Sequence, residues 1–217
     1  MKKLIAGLMA LAAVATVAQA DGVYSKNAVG FINVEVGAEE LVALTIPFNN
    51  MDSEDGSWTF KDTQIAADAA VASYVYFWDG TGWVANSKGR NGFTTTKVLK
   101  PGEAFFFQPK QAMTITMSGE VPDDDSTAVA VTGAGNLSAI GNPYPVPVKF
   151  VDTELAAQAS TASYVYFWDG SGWVANSKGR NGFTTTHEVF PGEGFFFQTN
   201  TKDDSAEWTV EKPYDFP

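Results

Sequence analysis

One stretch of 25 residues occurs twice in this chain, and any fold the chain adopts must house both copies. Ala72 to Thr96 reads ASYVYFWDGTGWVANSKGRNGFTTT, and Ala162 to Thr186 is identical except that Ser171 stands where the first copy has Thr81. The flanks are related but have drifted. Trp58 to Val71 matches Val148 to Thr161 at 6 of 14 positions, and Lys97 to Lys110 matches His187 to Asn200 at 7 of 14. Further upstream the offset changes from 90 to 96: Gly37-Ala38 aligns with Gly133-Ala134, and Pro47-Phe48 with Pro143-Tyr144. The chain therefore reads as a leader, 1–20, followed by two homologous units, 21–121 and 122–217.

Each unit reads as mainly β, a tandem pair of sandwich or barrel-like bodies with one short helix apiece. Ala28 to Val36 and Leu41 to Phe48 are rich in apolar and β-branched residues, with Gly37 as the turn between them. Asp62 to Ala70 and Asp152 to Ser160 combine an Asp cap with an alanine-rich run, which predicts a helix of about two or three turns. Ser73 to Trp78 and Trp83 to Ser87 predict a hairpin with a type I′ turn signal at Asp79-Gly80. A loop of two or four residues puts Tyr74, Tyr76, Trp78, Trp83 and Ala85 on one face; a loop of three exchanges the partners. Asn86 to Gly92 has loop composition, and Phe93 to Thr96 is expected to begin another strand. Pro101-Gly102 fits the centre of a type II turn. The triple Phe105-Phe106-Phe107 is too apolar to alternate, so that strand is expected to be buried on both faces. A last strand closes each unit, Ala112 to Met117 and Ala206 to Val210.

The first residues set the expected destination. Lys2 and Lys3, the apolar run Leu4 to Val17 and Ala18-Gln19-Ala20 have the form of a cleaved secretory signal peptide. Export would place the chain in the periplasm, at the cell surface or outside the cell. No other stretch is apolar for long enough to span a bilayer as a helix. The chain contains no cysteine, so neither a disulfide scaffold nor thiol chemistry is available. Loss of Lys2 and Lys3 with the leader leaves 12 basic residues against 25 acidic ones, a field that opposes nucleic acid and anionic lipid.

Two short signatures lie about fifty residues apart in the second unit. Gly141-Asn142-Pro143-Tyr144-Pro145 precedes the Trp-Asp-Gly hairpin, and Pro191-Gly192-Glu193-Gly194-Phe195-Phe196-Phe197 follows it. In this order they resemble the β-rich repeat modules of largely uncharacterised secreted and surface proteins of Gram-negative bacteria. In the first unit Ile46-Pro47-Phe48-Asn49 is degenerate and Ala104 replaces the second glycine. The resemblance implies an exported β module and supplies no catalytic residues.

Catalytic chemistry has little material. His187 is the only histidine; Lys97 stands at its place in the first unit, and it reads as a lone surface residue. No nucleophile elbow, zinc-protease motif or phosphate loop occurs, and nothing in the sequence calls for a cofactor or a metal. Asn50, Asp52 and Glu54 have calcium-like spacing, but Gly56 comes one position late for an EF-hand, so a solvated acidic loop is expected. The recurring acids Asp79/Asp169 and Glu103/Glu193 keep a carboxylate hydrolase open as an alternative.

The candidate ligand-binding residues are Trp78, Trp83, Asn86, Lys88, Arg90 and Asn91 with their copies Trp168, Trp173, Asn176, Lys178, Arg180 and Asn181. Aromatic rings beside planar polar groups suit a sugar ring, which makes a bivalent carbohydrate-binding module one expectation. Burial of the same aromatics in a core or between the units is the competing one. The expected role is a non-enzymatic, exported β-repeat protein in cell-surface structure or extracellular interaction, with a glycan or a surface protein as partner. Lys88, Arg90 and Lys97 make the repeated loop basic within an acidic chain, so salt-sensitive docking onto the acidic stretch Asp123 to Asp125 of another copy is also expected.

Overall fold

The computed structural model describes residues 28–133, 135–200 and 207–215. The expected leader, Ala134, Asp203-Asp204 and Ala206 lie outside the described residues. The protein is mainly β. Its first copy contains β1 (Val29–Val36), β2 (Val42–Thr45), β3 (Trp58–Thr59), α1 (Gln64–Asp68), β4 (Tyr74–Trp78), β5 (Trp83–Ser87), β6 (Val98–Leu99), β7 (Ala104–Gln108) and β8 (Met113–Glu120). The second contains β9 (Ser126–Ala130), β10 (Leu137–Gly141), β11 (Val148–Lys149), α2 (Glu154–Gln158), β12 (Tyr164–Trp168), β13 (Trp173–Ser177), β14 (Glu188–Val189), β15 (Gly194–Gln198) and β16 (Glu207–Glu211). Pairing follows the same order in both. A four-stranded antiparallel sheet, β2-β7-β4-β5 or β10-β15-β12-β13, is joined by a ribbon of the outermost strands, β1-β8 or β9-β16.

Alternation along each four-stranded sheet gives it two apolar faces. Val75, Phe77, Phe105 and Phe107 point to one side and are almost wholly buried. They meet Ile65 and Ala66 of α1 and Ile115 and Met117 of β8 in one core. Phe60 sits at its centre, edge-on to Phe77, Phe93 and Phe105 with ring centroids 5.2–5.5 Å apart. Phe150 repeats this arrangement with Phe167, Phe183 and Phe195.

Three local expectations change. The helix is five residues long: Thr63 rather than Asp62 caps its start, its hydroxyl accepting the Ala66 N–H at 3.2 Å after a 3-10 turn, Phe60–Asp62, and Ala69 ends it by leaving the helical range at ψ 140°. The hairpin register pairs Trp78 with Trp83, which gives the face assignment of the even-numbered loops, but only Gly80 takes positive φ (99°). A type I′ turn needs two such residues in succession and does not form. Instead the Asp79 carboxylate accepts the Thr81 and Gly82 N–H groups, both at 2.8 Å. Phe93 to Thr96 is not a strand; Phe93 leaves the backbone path to plug the core beside Phe60.

The second apolar face of each sheet lies against the other copy. Trp78, Trp83 and Phe106 from one sheet meet Trp168, Trp173 and Phe196 from the other. The cross-copy ring pairs are Trp78–Phe196 at 5.0 Å, Trp83–Phe196 at 5.4 Å, Phe106–Trp168 at 5.1 Å and Phe106–Trp173 at 5.5 Å. Each indole N–H of the inner pair crosses to the opposite backbone, Trp78 to the Leu137 carbonyl and Trp168 to the Leu41 carbonyl, both at 2.9 Å. Backbones also touch: Thr45 N–H donates to the Gly192 carbonyl and Gly141 N–H to the Gly102 carbonyl, both at 2.9 Å. Gly102 and Gly192 are the positive-φ residues of two Pro-Gly turns, closed by Glu103 N–H to Lys100 and Glu193 N–H to Phe190, as type II turns require.

Equivalent positions face each other at the centre of this contact, and there the two copies differ in size. A Cβ on Gly141 would stand 2.4 Å from Thr45 Cγ2, and one on Gly194 would stand 2.8 Å from Ala104 Cβ. One member of each pair must therefore be glycine. Gly194→Ala is expected to destabilise the protein by about 1–3 kcal/mol through overpacking, with partial recovery when Ala104→Gly is added. Urea unfolding of both variants checks this; an unchanged midpoint for Gly194→Ala would show that the backbones do not approach this closely.

Candidate interaction surface

The twelve candidate residues fall into three groups with different work. Trp78, Trp83, Trp168 and Trp173 are half-buried in the aromatic seam. Of the competing expectations for these rings, their place between the copies matches the packing one.

Lys88 and Lys178 face inward. Lys88 Nζ donates to the carbonyls of Ala66, Ala67 and Ala69 at 2.8, 2.9 and 2.6 Å, and Lys178 Nζ to Ala156 and Ala157 at 2.8 Å each. These are the carbonyls left open at the C-terminal ends of two very short helices, where a cation is also favoured by the helix dipole. The loop backbone completes the clasp, with Lys88 N–H donating to Ser73 and Ala72 N–H to Lys88. Lys88 thus ties the repeated loop to α1.

The remaining candidates form the outer surface. Asn86 and Asn176 are half-buried and lean back on the carbonyls of Val84 and Val174, at 3.4 and 3.5 Å. Arg90, Asn91, Arg180 and Asn181 are exposed, and among the described residues their side chains have no hydrogen-bond or ion-pair partner. Two exposed positions escaped the sequence reading: Val84 and Val174, each 48% exposed on an outer strand. Alternation alone would have hidden them; only the strand order, which leaves β5 and β13 at sheet edges, exposes them. Tyr74 and Tyr164, 40% and 38% exposed, stack on Tyr76 and Tyr166 with interplanar angles of 21° and 22°.

The recurring acids have local partners. Asp79 is held below the usual carboxylate range, first by the Thr81 N–H, then by the Gly82 N–H and the Thr81 hydroxyl; Asp169 is lowered by Ser171 and Gly172 in the same way. Glu103 pairs with Lys97 at 2.6 Å, and Glu193 with His187 at 2.6 Å. His187, expected to be a lone surface residue, is therefore partnered; its ring also lies flat on Phe167 with centroids 3.8 Å apart. Asp79 and Glu103 line one cleft of about 420 Å³ between the copies, with Lys100 and Ser138 on its walls.

The acidic stretches also have local uses. Asn50 Oδ1 accepts the Asp52 N–H, Asp55 accepts the Ser53 hydroxyl and the Ser57 N–H, and Asp123 pairs with Lys212 at 3.0 Å. Among the described residues no three His, Asp or Glu side chains come close enough together to hold a metal ion. Comparison with known proteins finds no matching family model, no matching curated protein and no matching solved structure.

The inward and outward members of the repeated loop should separate by stability. Lys88→Met is expected to cost about 1–3 kcal/mol by leaving carbonyls unpaired, whereas Arg90→Ala should change stability by less than about 0.5 kcal/mol. Equal midpoints for the two variants in guanidinium unfolding would contradict this division of work.

Proposed function

We propose that this is an exported, non-enzymatic β-repeat protein, delivered by a cleaved signal peptide and built from two homologous tandem units. On this reading it presents one interaction surface twice, to cell-surface or extracellular partners. The observation that carries the reading is the identity of exposed positions. Val84, Ala85, Ser87, Arg90 and Asn91 recur as Val174, Ala175, Ser177, Arg180 and Asn181, exposed in both copies. Packing can account for identical tryptophans and lysines, since both are built into the fold. It places no demand on exposed side chains, whereas a surface used twice does. Two identical sites on one chain also gain from effective concentration, by about 10²-fold or more where the geometry lets both engage.

A glycan partner is supported by the two tyrosines that share the hairpin face with Trp78 and Trp83. Tyr74 and Tyr76 form a stacked, accessible platform beside Gln108, which accepts the Tyr76 hydroxyl at 3.1 Å, and Tyr164, Tyr166 and Gln198 repeat it. A glycan array with wild type and Tyr74→Ala/Tyr164→Ala decides this second reading.

For the principal reading, mass spectrometry of protein recovered outside the cytoplasm should show a chain beginning at Asp21. Substitution of Arg90, Asn91, Arg180 and Asn181 by alanine should release it from the envelope or matrix material with which it sediments, without lowering its melting temperature. Unprocessed protein confined to the cytoplasm, or a variant retained as firmly as wild type, would refute it.

A further inference from the structure

The two sides of each four-stranded sheet end differently. β2 and β10, the outer strands on one side of the two sheets, enter the contact between the copies, where Leu44 bridges Glu193 and Ile140 bridges Glu103. β5 and β13, the outer strands on the other side, pair with a neighbour on one side only. Both read Trp-Val-Ala-Asn-Ser and contain none of the Lys, Glu or Pro residues that normally shield an edge from another strand.

Their outward hydrogen-bonding groups can be identified from the register. Asp79 N–H donates to Gly82 and Lys88 N–H to Ser73, so residues 82, 84, 86 and 88 turn their backbone groups toward β4. Trp83, Ala85 and Ser87 consequently turn theirs outward. Such a strand is complementary to itself. Laid antiparallel on a second copy with Ala85 opposite Ala85, it sets Trp83 opposite Ser87, and every outward N–H and C=O of the strand finds a partner. Only small side chains, Ala85 and Ser87, then flank Trp83 on one face. On the other face the exposed Val84 lies against Asn86.

Counted onward in the same register, Arg90 comes opposite Gly80 of the second molecule, next to Asp79, once on each side of the local twofold. Both side chains are exposed. The contact thus joins opposite charges on a chain whose net charge otherwise disfavours association.

We propose that β5 and β13 are self-association edges through which a second copy of this chain adds to the sheet. The contact is isologous, so any edge can pair with any other. Because each molecule carries two, at equivalent places in its copies, we take assembly to continue past the dimer, each molecule joining two others. The near-identity of the repeated segment then has a physical cause, since each edge must complement its own sequence and its sister's. This inference rests on the reading of the repeated outer surface as an interaction surface and names its partner.

The test uses the mature protein, 21–217, in sedimentation velocity over a range of concentrations. Wild type is expected to form species larger than dimers. Ala175→Lys, with one edge blocked, should stop at the dimer, and Ala85→Lys/Ala175→Lys should remain monomeric with an unchanged near-ultraviolet tryptophan spectrum. Mixing that double variant with Ala85→Glu/Ala175→Glu should restore the larger species, because Lys then opposes Glu across the contact; a merely misfolded variant would not be rescued. Wild type that stays monomeric at every concentration, a double-Lys variant that assembles normally, or a mixture that fails to assemble overturns the proposal. If wild type is monomeric while export and the Arg90/Asn91 dependence hold, the partner is not a second copy and the broader reading survives.

Discussion

Two sheets can approach closely enough to share backbone hydrogen bonds only where their side chains are almost absent, and this constraint governs the whole structure. Gly141 against Thr45 and Gly194 against Ala104 provide that approach. It allows Thr45 and Gly141 to bond the opposite Pro-Gly turns, and it brings Trp78 and Trp168 within reach of carbonyls across the contact. Around it the aromatic rings close at centroid separations of 5.0–5.5 Å, each such pair worth about 0.5–1.5 kcal/mol beyond the apolar area it buries.

The same constraint explains where the duplicated halves have parted. At a twofold contact, equivalent positions confront each other, so a side chain that fits once does not fit twice. Thr45 and Gly141, and Ala104 and Gly194, resolve the conflict by becoming unequal. The two signatures that suggested a secreted β module belong to this machinery. Asn142 accepts the Tyr144 N–H and donates to the Val146 carbonyl, fixing a buried turn, while the Pro-Gly-Glu-Gly run supplies the second turn and the close approach. Away from the contact nothing in the packing forces the copies apart or together, and there Arg90 and Asn91 remain the same as Arg180 and Asn181.

Much of the fold was legible in the sequence because local rules decide it. Pro101-Gly102 specifies its turn, and Phe105-Phe106-Phe107 announces burial on both faces, realised with Phe105 and Phe107 in the copy's own core and Phe106 in the seam. The candidate site was less legible, because its residues take their roles from distant partners. Lys88 reads as part of a basic surface until α1, some twenty residues earlier, presents its carbonyls. Trp78 and Trp83 read either as a sugar platform or as packing, and only the other sheet places them in a seam between the copies. His187 looks isolated because Glu193 reaches it only once the Pro-Gly turn has folded back. The helix is short because it starts one residue late, capped by Thr63, and stops where Ala69 turns extended.

If the seam is shared in this way, neither half has an independent stability, and each sheet loses its second apolar face when the other unfolds. Differential scanning calorimetry of residues 21–217 measures this directly through the ratio of calorimetric to van't Hoff enthalpy. A single transition with a ratio close to one is the expected result. Two resolved transitions, or a calorimetric enthalpy about twice the van't Hoff value, would mean that the halves melt separately and that the aromatic seam does not hold them together.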